Sequence, residues 1–421
     1  MGNVVNAKNK VPQLRFPEFS GEWSVRKLSE FVQSKRGGAS LKPHDFVENS
    51  SYQVIPKKAV VYGGRLTLDY QNPTFCTEEF FALNQTSVVD TTFLITTLRD
   101  LVPTAPTLGL VVVNPYKERL LMAQGVYGFK LSSALNGGFL CNLSNSIKYR
   151  RLMYRMCVGS TQVHIRSSEF FEFSFYSPDI EEQNRLNSFL FEVDNKISLL
   201  KQKHEKLVQY KKGIMQQLFS QQLRFKDDNG QDFPDWEKNR LDYFLERTSD
   251  AVEVDKTTKY RQIGIRSHGK GIFHKDSVSG EELGDKRVFW VHTKALVLNI
   301  VFAWEHAVAV TSDSESGMIA SHRFPMYVPK NNRADLDFMG IFFLRPRGKY
   351  LLGIASPGGA GRNKTLGQSN FSELKVTLPC LDEQNKIASF VKSIDQKINL
   401  AKQKIEQTQA YKQGLLQQMF V

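Results

Sequence analysis

Pro178-Asp-Ile-Glu-Glu-Gln-Asn-Arg185 opens a run of sequence that recurs as Pro379-Cys-Leu-Asp-Glu-Gln-Asn-Lys386. The run closes with Tyr210-Lys-Lys-Gly-Ile-Met-Gln-Gln-Leu-Phe219 in the first copy and Tyr411-Lys-Gln-Gly-Leu-Leu-Gln-Gln-Met-Phe420 in the second. Lys148 to Phe219 lies on Lys349 to Phe420 without a gap, at a constant offset of 201 residues. A repeat this long exceeds a solenoid unit and falls short of a whole large domain. It implies two copies of a compact domain plus an added element, a pseudo-dimer within one chain.

The added element is a long helix. Apolar positions from Leu186 step by four and three through Leu190, Val193, Ile197, Leu200 and Leu207, with His204 and Lys211 in register, to Ile214 and Leu218. The second copy runs Ile387, Val391, Ile394, Ile398, Ala401, Ile405, Thr408, Lys412, Leu415 and Met419. Such spacing makes a narrow apolar stripe that seeks a second helix, and each copy offers the other a partner. Pro178 bars helix from upstream, and Asp179 with Glu182 spells a capping box, so the first helix starts near residue 180. Ending near 219, it would be about 55–60 Å long. Gly213 and Gly414 sit late in the two helices, where glycine costs about 1 kcal/mol relative to alanine. Close packing, a bend or a fraying end would account for them.

A shorter repeat opens each half. Leu14-Arg-Phe-Pro-Glu-Phe with Trp23, Leu28 and Phe31 answers Leu223-Arg-Phe-Lys-Asp with Phe233, Trp236, Leu241 and Phe244. Between these markers resemblance is lost. Residues 35–145 and 247–345 hold short β-branched and aromatic runs (Leu108 to Val113, Ala295 to Trp304, Met339 to Leu344) broken by Gly, Pro and Asn, which reads as sheet within mixed α/β domains. The expected fold is α+β with an internal pseudo-twofold repeat. Its segments are a first domain at 1–177, a long helix at 178–222, a second domain at 223–378 and a second helix at 379–421.

A net charge of +13 over 421 residues favours a polyanionic partner. The two helical stretches supply only about +3 of it, so the polyanion should meet the globular parts. Four scattered cysteines without a CxxC pair read as a reduced, cytoplasmic protein. The sequence shows neither a signal-peptide core nor an apolar run able to span a bilayer.

Three basic, glycine-containing stretches are candidate nucleic-acid contacts. Gly264-Ile-Arg-Ser-His-Gly-Lys-Gly271 nearly spells a phosphate-binding loop, yet Gly271 replaces the hydroxyl residue that would hold Mg²⁺ and no helix is evident after it. A loop offering Arg266, Ser267, His268 and Lys270 as donors fits better, with a plain surface turn as the alternative. Ser356 to Lys364 offers Arg362, Asn363 and Lys364, and its counterpart in the first half offers Ser160, Thr161 and Gln162. Lys35, Arg36, Ser40 and Lys42 open the first variable domain with the same chemistry, or as a solvated loop.

The search for catalysis is negative. Asn72-Pro-Thr-Phe75 lacks the second proline of an adenine-methylation motif, and no cofactor loop precedes it. Pro234-Asp-Trp-Glu-Lys238 faintly echoes a metal nuclease, but such a site needs its carboxylates on separate strands and the matching stretch Phe19-Ser-Gly-Glu-Trp23 has no Asp, and the histidines form no HExxH. No metal site is expected.

The doubled Leu-Arg-Phe…Trp opening, the doubled Glu-Gln-Asn helix start and the doubled Tyr-Lys-x-Gly…Gln-Gln-x-Phe helix end resemble, over essentially the full length, the specificity subunit of type I restriction–modification systems. That resemblance implies two target-recognition domains separated by two antiparallel coiled-coil helices. Each domain would read half of an interrupted duplex DNA site, while the helices set the spacing and dock two methyltransferase subunits. It also implies restriction subunits that cut DNA using ATP. The chain itself would catalyse nothing and bind no cofactor, S-adenosylmethionine, ATP and Mg²⁺ being used by the partners. The competing expectation is a coiled-coil scaffold that joins proteins without reading DNA sequence.

Overall fold

A computed structural model describes residues 10–100, 102–160, 162–358 and 364–421. It is an α+β structure of two compact units, one running to His204 and taking in Leu400–Val421, the other Glu205–Asn399. The units thus divide each long helix, where the sequence reading made each helix a segment of its own. Among the described residues no helix is long and apolar enough to cross a membrane.

In the first unit an antiparallel ribbon of β1 (Ser24–Lys27) and β2 (Ser174–Ser177) ties the opening of the domain to its end. Between them lies a four-stranded antiparallel sheet in the order Val32–Gly37, Val126–Leu131, Leu94–Thr97, Val111–Val113. A three-stranded sheet centred on Leu120–Met122 stands beside its own small core. Helix α1 (Gly137–Ser144) is capped by Asn136, and α2 (Ile180–Phe219) by Asp179, whose Oδ1 accepts from the Glu182 amide at 2.8 Å.

Only half of the expected capping box forms. The Glu182 side chain, 1 % exposed, leaves the helix start for Arg15, taking its Nε at 2.8 Å and Nη2 at 2.7 Å. A charge-assisted fork of this kind outweighs a single cap bond. Gln183 Oε1 accepts the Asn136 amide at 2.8 Å while its Nε2 donates to the Ser177 hydroxyl and the Pro178 carbonyl, so one buried amide fastens β2, α1 and α2 together. Trp23 packs edge-on against Phe139 and Phe420. Leu186 and Leu190 are buried in the same core as Leu415, Leu416, Met419 and Phe420, with Val193 packed against it. The N-terminal part of one long helix therefore meets the C-terminal part of the other inside this unit.

The second unit repeats the clasp. Its ribbon pairs β3 (Glu237–Arg240) with β4 (Lys375–Leu378). Helix α3 (Leu336–Phe343), capped by Asp335, leads into α4 (Pro346–Ile354), and α5 (Leu381–Gln418) closes the unit. Arg224 grips Glu383 at 3.1 and 2.8 Å, Gln384 Oε1 accepts the Asp335 amide at 2.9 Å, and Trp236 meets Phe219 and Phe338. Here the indole also donates to Glu383, at 3.2 Å. Ile387, Ala388 and Val391 share a core with Leu218, and Ile214, Met215 and Phe219 pack on it.

The other stripe positions are also withdrawn from solvent. Ile197, Ile394 and Ala401 are buried, and Leu200, Leu207, Ile398 and Ile405 are half-buried. Gly213 and Gly414 lie inside continuous helix, and a Cβ at either would meet nothing within 4 Å. Neither glycine is required by close packing.

The variable part of the second unit holds two four-stranded sheets. One is antiparallel, in the order Leu245–Thr248, Met326–Pro329, Leu296–Leu298, Val308–Val310. The other is mixed, in the order Ile272–Ser279, Lys259–Ile265, Ile319–Ser321, Val288–Trp290. One expectation is corrected: Met339 to Leu344, read as a strand-like run, belongs to α3 and its C-cap. Burial of Phe338, Met339, Gly340, Phe342 and Phe343 makes the helix apolar nearly all round, which erases the period that separates helix from strand.

Candidate nucleic-acid interface

In the first unit Lys35 and Arg36 lie on the edge strand Val32–Gly37 rather than in a loop. Lys35 is exposed, its ammonium 5.1 Å from the centre of the Phe171 ring. Arg36 is half-buried, stacks 4.8 Å above Phe93 and donates to the Val88 carbonyl, which fixes its guanidinium. With Gly37, Gln85 and Thr86 the two cations line an open cavity of about 560 Å³. Ser40 and Lys42 are exposed further along.

Ser160 and Gln162 stand exposed in a tight reversal closed by paired hydrogen bonds between Val158 and His164, at 2.9 and 3.0 Å. Gly159 takes a φ of +104° there. Thr161 lies outside the described residues. The strand Val163–His164 pairs with Arg99–Asp100, and around Gly125 Arg99 comes beside Lys57. Sequence reading missed these two cations because they lie 42 residues apart in the chain, Lys57 beside Lys58 and Arg99 beside Asp100, with no glycine-rich basic stretch around either.

In the second unit residues 266–271 form the turn of a hairpin between Lys259–Ile265 and Ile272–Ser279. The residue after the near-phosphate motif opens a strand, not a helix, so the motif is no nucleotide cradle. His268, Gly269 and Gly271 have φ of +61°, +67° and +76°, which explains the glycines. The turn is anchored through its backbone: the His268 amide donates to the Glu305 carbonyl at 2.6 Å and the Gly269 amide to the His306 carbonyl at 3.0 Å. That leaves the side chains of Arg266, His268 and Lys270 exposed and Ser267 half-buried. Arg266 stacks 4.8 Å from Phe273.

Lys364 closes a bridge with Gly358 and points its ammonium at Trp304, 5.5 Å from the ring centre. Because Trp304 and His306 flank Glu305, the short 3₁₀ turn Ala303–Glu305 gathers the hairpin turn and Lys364 into one basic, aromatic surface. Burial, then the charge of Lys349, lowers the pKa of His306 below its ordinary value. Arg362 and Asn363 lie outside the described residues. Trp304 escaped sequence reading because it ends an apolar run that reads as strand. Together the turns offer cations for phosphates and flat aromatic faces beside them.

The profile of the type I restriction modification DNA specificity domain matches residues 20–209 and again 291–410. The chain belongs to that family. Of its relatives, the type I restriction enzyme MjaVIII specificity subunit of Methanocaldococcus jannaschii is 23% identical over 289 residues, which cover 61% of this chain and 64% of that protein. The putative type I restriction enzyme MjaX specificity subunit of the same organism is 24% identical over 264 residues, or 57% and 56%. The match thus spans less than two thirds of either relative's length. The crystal structure of the type I restriction-modification S subunit from M. genitalium covers 97% of this chain and 99% of that one, with a TM-score of 0.54 at 14% identity. It shares the fold.

Proposed function

We propose that this chain is the sequence-reading subunit of a type I restriction–modification complex. Each unit reads one half of an interrupted duplex site, the long helices set the distance between the halves, and the repeated helical segments dock two methyltransferase subunits. Restriction subunits join the same assembly. The chain performs no chemistry: methyl transfer with S-adenosylmethionine and ATP- and Mg²⁺-dependent cutting belong to the partners, in the cytoplasm. Lys and Arg on phosphates would supply affinity and groove contacts specificity, while the target adenine is flipped into a partner's site.

One observation carries this reading. The same clasp of Arg–Glu fork, bridging Gln and Trp–Phe contact occurs once in each unit, yet the sheets and basic turns it encloses differ. An equal frame with unequal inserts suits two readers of two different half-sites, since half-site geometry follows protein geometry.

Duplex binding against salt tests it. If about eight phosphates are neutralised, affinity falls roughly 10⁴-fold between about 50 and 200 mM salt. A loss of about tenfold or less would point to a protein scaffold with incidental basicity.

A further inference from the structure

Arg345, Arg347, Lys238 and Lys375 line one cavity of about 280 Å³ in the second unit, with Phe219 and Trp236 in its wall. None of its lining residues is acidic. Among the described residues none of these four cations makes an ion pair or a side-chain hydrogen bond. Arg345 is half-buried, its guanidinium 3.7 Å from the centre of the Phe219 ring. Burial lowers its pKa with no counter-charge to offset it. Lys238 sits opposite Thr377 and Arg240 opposite Lys375, so Lys238, Lys375 and the Thr377 hydroxyl share one face of the β3–β4 ribbon. Arg240, on the same face, is already paired with Asp242 and Glu373.

The first unit builds the same clasp without these charges. When the equivalent helices are matched at their N-caps, Ser146 stands in place of Arg345, and by the ribbon register Ser174 stands in place of Lys375 and Val25 in place of Lys238. Lys148, which the gapless sequence match lays on Lys349, falls at Arg347 when the helices are matched at their caps, two residues out of that register, and its ammonium is spent on the Phe420 carbonyl at 3.1 Å. The clasp therefore closes without a basic cavity, and in the second unit Arg345 touches it through the Phe219 ring while Lys238, Lys375 and Arg347 make no hydrogen bond or ion pair to it among the described residues. Holding several like charges around one cavity is unfavourable unless an anion visits. The volume exceeds several waters at about 30 Å³ each, enough for a phosphate and part of the molecule that carries it.

We propose that this cavity is a phosphate-binding site, in which Arg345 and Arg347 fork the oxygens, Lys238 and Lys375 supply point charge from the ribbon, and Thr377 donates a hydrogen bond. The phosphate comes either from a free nucleotide or inorganic phosphate, or from the backbone of bound DNA. Its lining shares no residue with the hairpin turn at 266–271 or with the turn that carries Trp304.

The full chain and two variants, Lys238→Gln/Lys375→Gln at exposed positions and Arg345→Gln, are titrated calorimetrically with inorganic phosphate, ATP and a short duplex. Thermal unfolding monitors folding, and the double variant keeps the test valid should Arg345→Gln unfold. Loss of charge-assisted contacts should weaken phosphate or ATP about tenfold or more. If free phosphates are weakened and the duplex is not, the source is a small molecule. A duplex affinity that falls with the same substitutions, and in which inorganic phosphate competes, assigns the backbone. The proposal is overturned if neither phosphate, ATP nor the duplex binds the folded double variant more weakly than the wild type. Because sequence preference among duplexes is read separately, its loss would count against the half-site reading and not against this cavity.

Discussion

Lys412 Nζ lies 2.6 Å from Asp194 Oδ1 and 2.8 Å from Oδ2, joining the late turns of one long helix to the early turns of the other within the first unit. Lys211 and Asp395, each 201 residues from its counterpart, make the same pair in the second unit at 2.6 and 2.7 Å. Both lysines occupy stripe positions that apolar residues fill elsewhere, so the charge is drawn toward the seam and has to be answered there.

The two pairs should differ in strength. Side-chain exposure is 9% and 32% for Lys412 and Asp194, against 32% and 44% for Lys211 and Asp395. A double-mutant cycle with Lys412→Met and Asp194→Asn, read by urea unfolding, should give a coupling of about 1–2 kcal/mol. The Lys211–Asp395 cycle should give about 0.5 kcal/mol or less. Equal couplings would mean that the difference in burial does not matter.

Removing the arginine from a clasp strands a buried carboxylate. Arg224→Met should destabilise the second unit by about 3–5 kcal/mol, since among the described residues the Glu383 side chain then keeps only the Trp236 indole as a hydrogen-bond partner. Adding Glu383→Gln should restore a good part of the loss, as measured by thermal unfolding. No recovery would show that Arg224 acts through packing alone.

The bridging glutamines should behave as amide acceptors. Gln384→Leu withdraws the acceptor of the Asp335 amide and should cost about 1–3 kcal/mol. Hydrogen exchange of that amide should speed up while amides within the sheet of residues 259–265 and 272–279 stay protected. Unchanged exchange at Asp335 would place the function of Gln384 elsewhere.

The Glu315 carboxyl ties stability to acid. Burial pushes its pKa up, but hydrogen bonds from Ser314, the Ser312 amide, His274 and the Ser312 hydroxyl outweigh it and hold the group at about 2, below the ordinary 4.5. A depressed carboxylate contributes fully above its unfolded value and loses that contribution as pH falls toward the folded one. Stability of the second unit should therefore decline between pH 4.5 and about 2, and Glu315→Gln should flatten this window. A variant with an unaltered acid profile would assign the decline to other carboxylates.

The frame was legible in the sequence because it is written twice. Steps of four and three from Leu186 and from Ile387 mark helices whose stripes are withdrawn from solvent, and Asp179 caps where its spacing says it should. What could not be read were partners remote in sequence. Glu182 has a local use as a capping residue, and only the fold reveals Arg15, 167 residues away, as the stronger claimant. Met339 to Leu344 misleads for the opposite reason: a helix buried on nearly every side has no polar face to give it a period. Among site residues, Arg266, His268 and Lys270 stand out as a basic cluster in sequence, whereas Trp304, Lys57 and Arg99 become neighbours of the basic turns only through strand pairing and a 3₁₀ turn.

The most direct test of two readers in one chain is a map of methylated adenines by single-molecule sequencing, in cells that supply the methyltransferase subunit with this chain, without it, or with residues 223–378 exchanged for those of another family member. The account predicts one interrupted motif that depends on the chain, and in the exchange a new motif in which one half is kept and the other replaced. A motif that is uninterrupted, that changes in both halves at once, or that persists without the chain would contradict it.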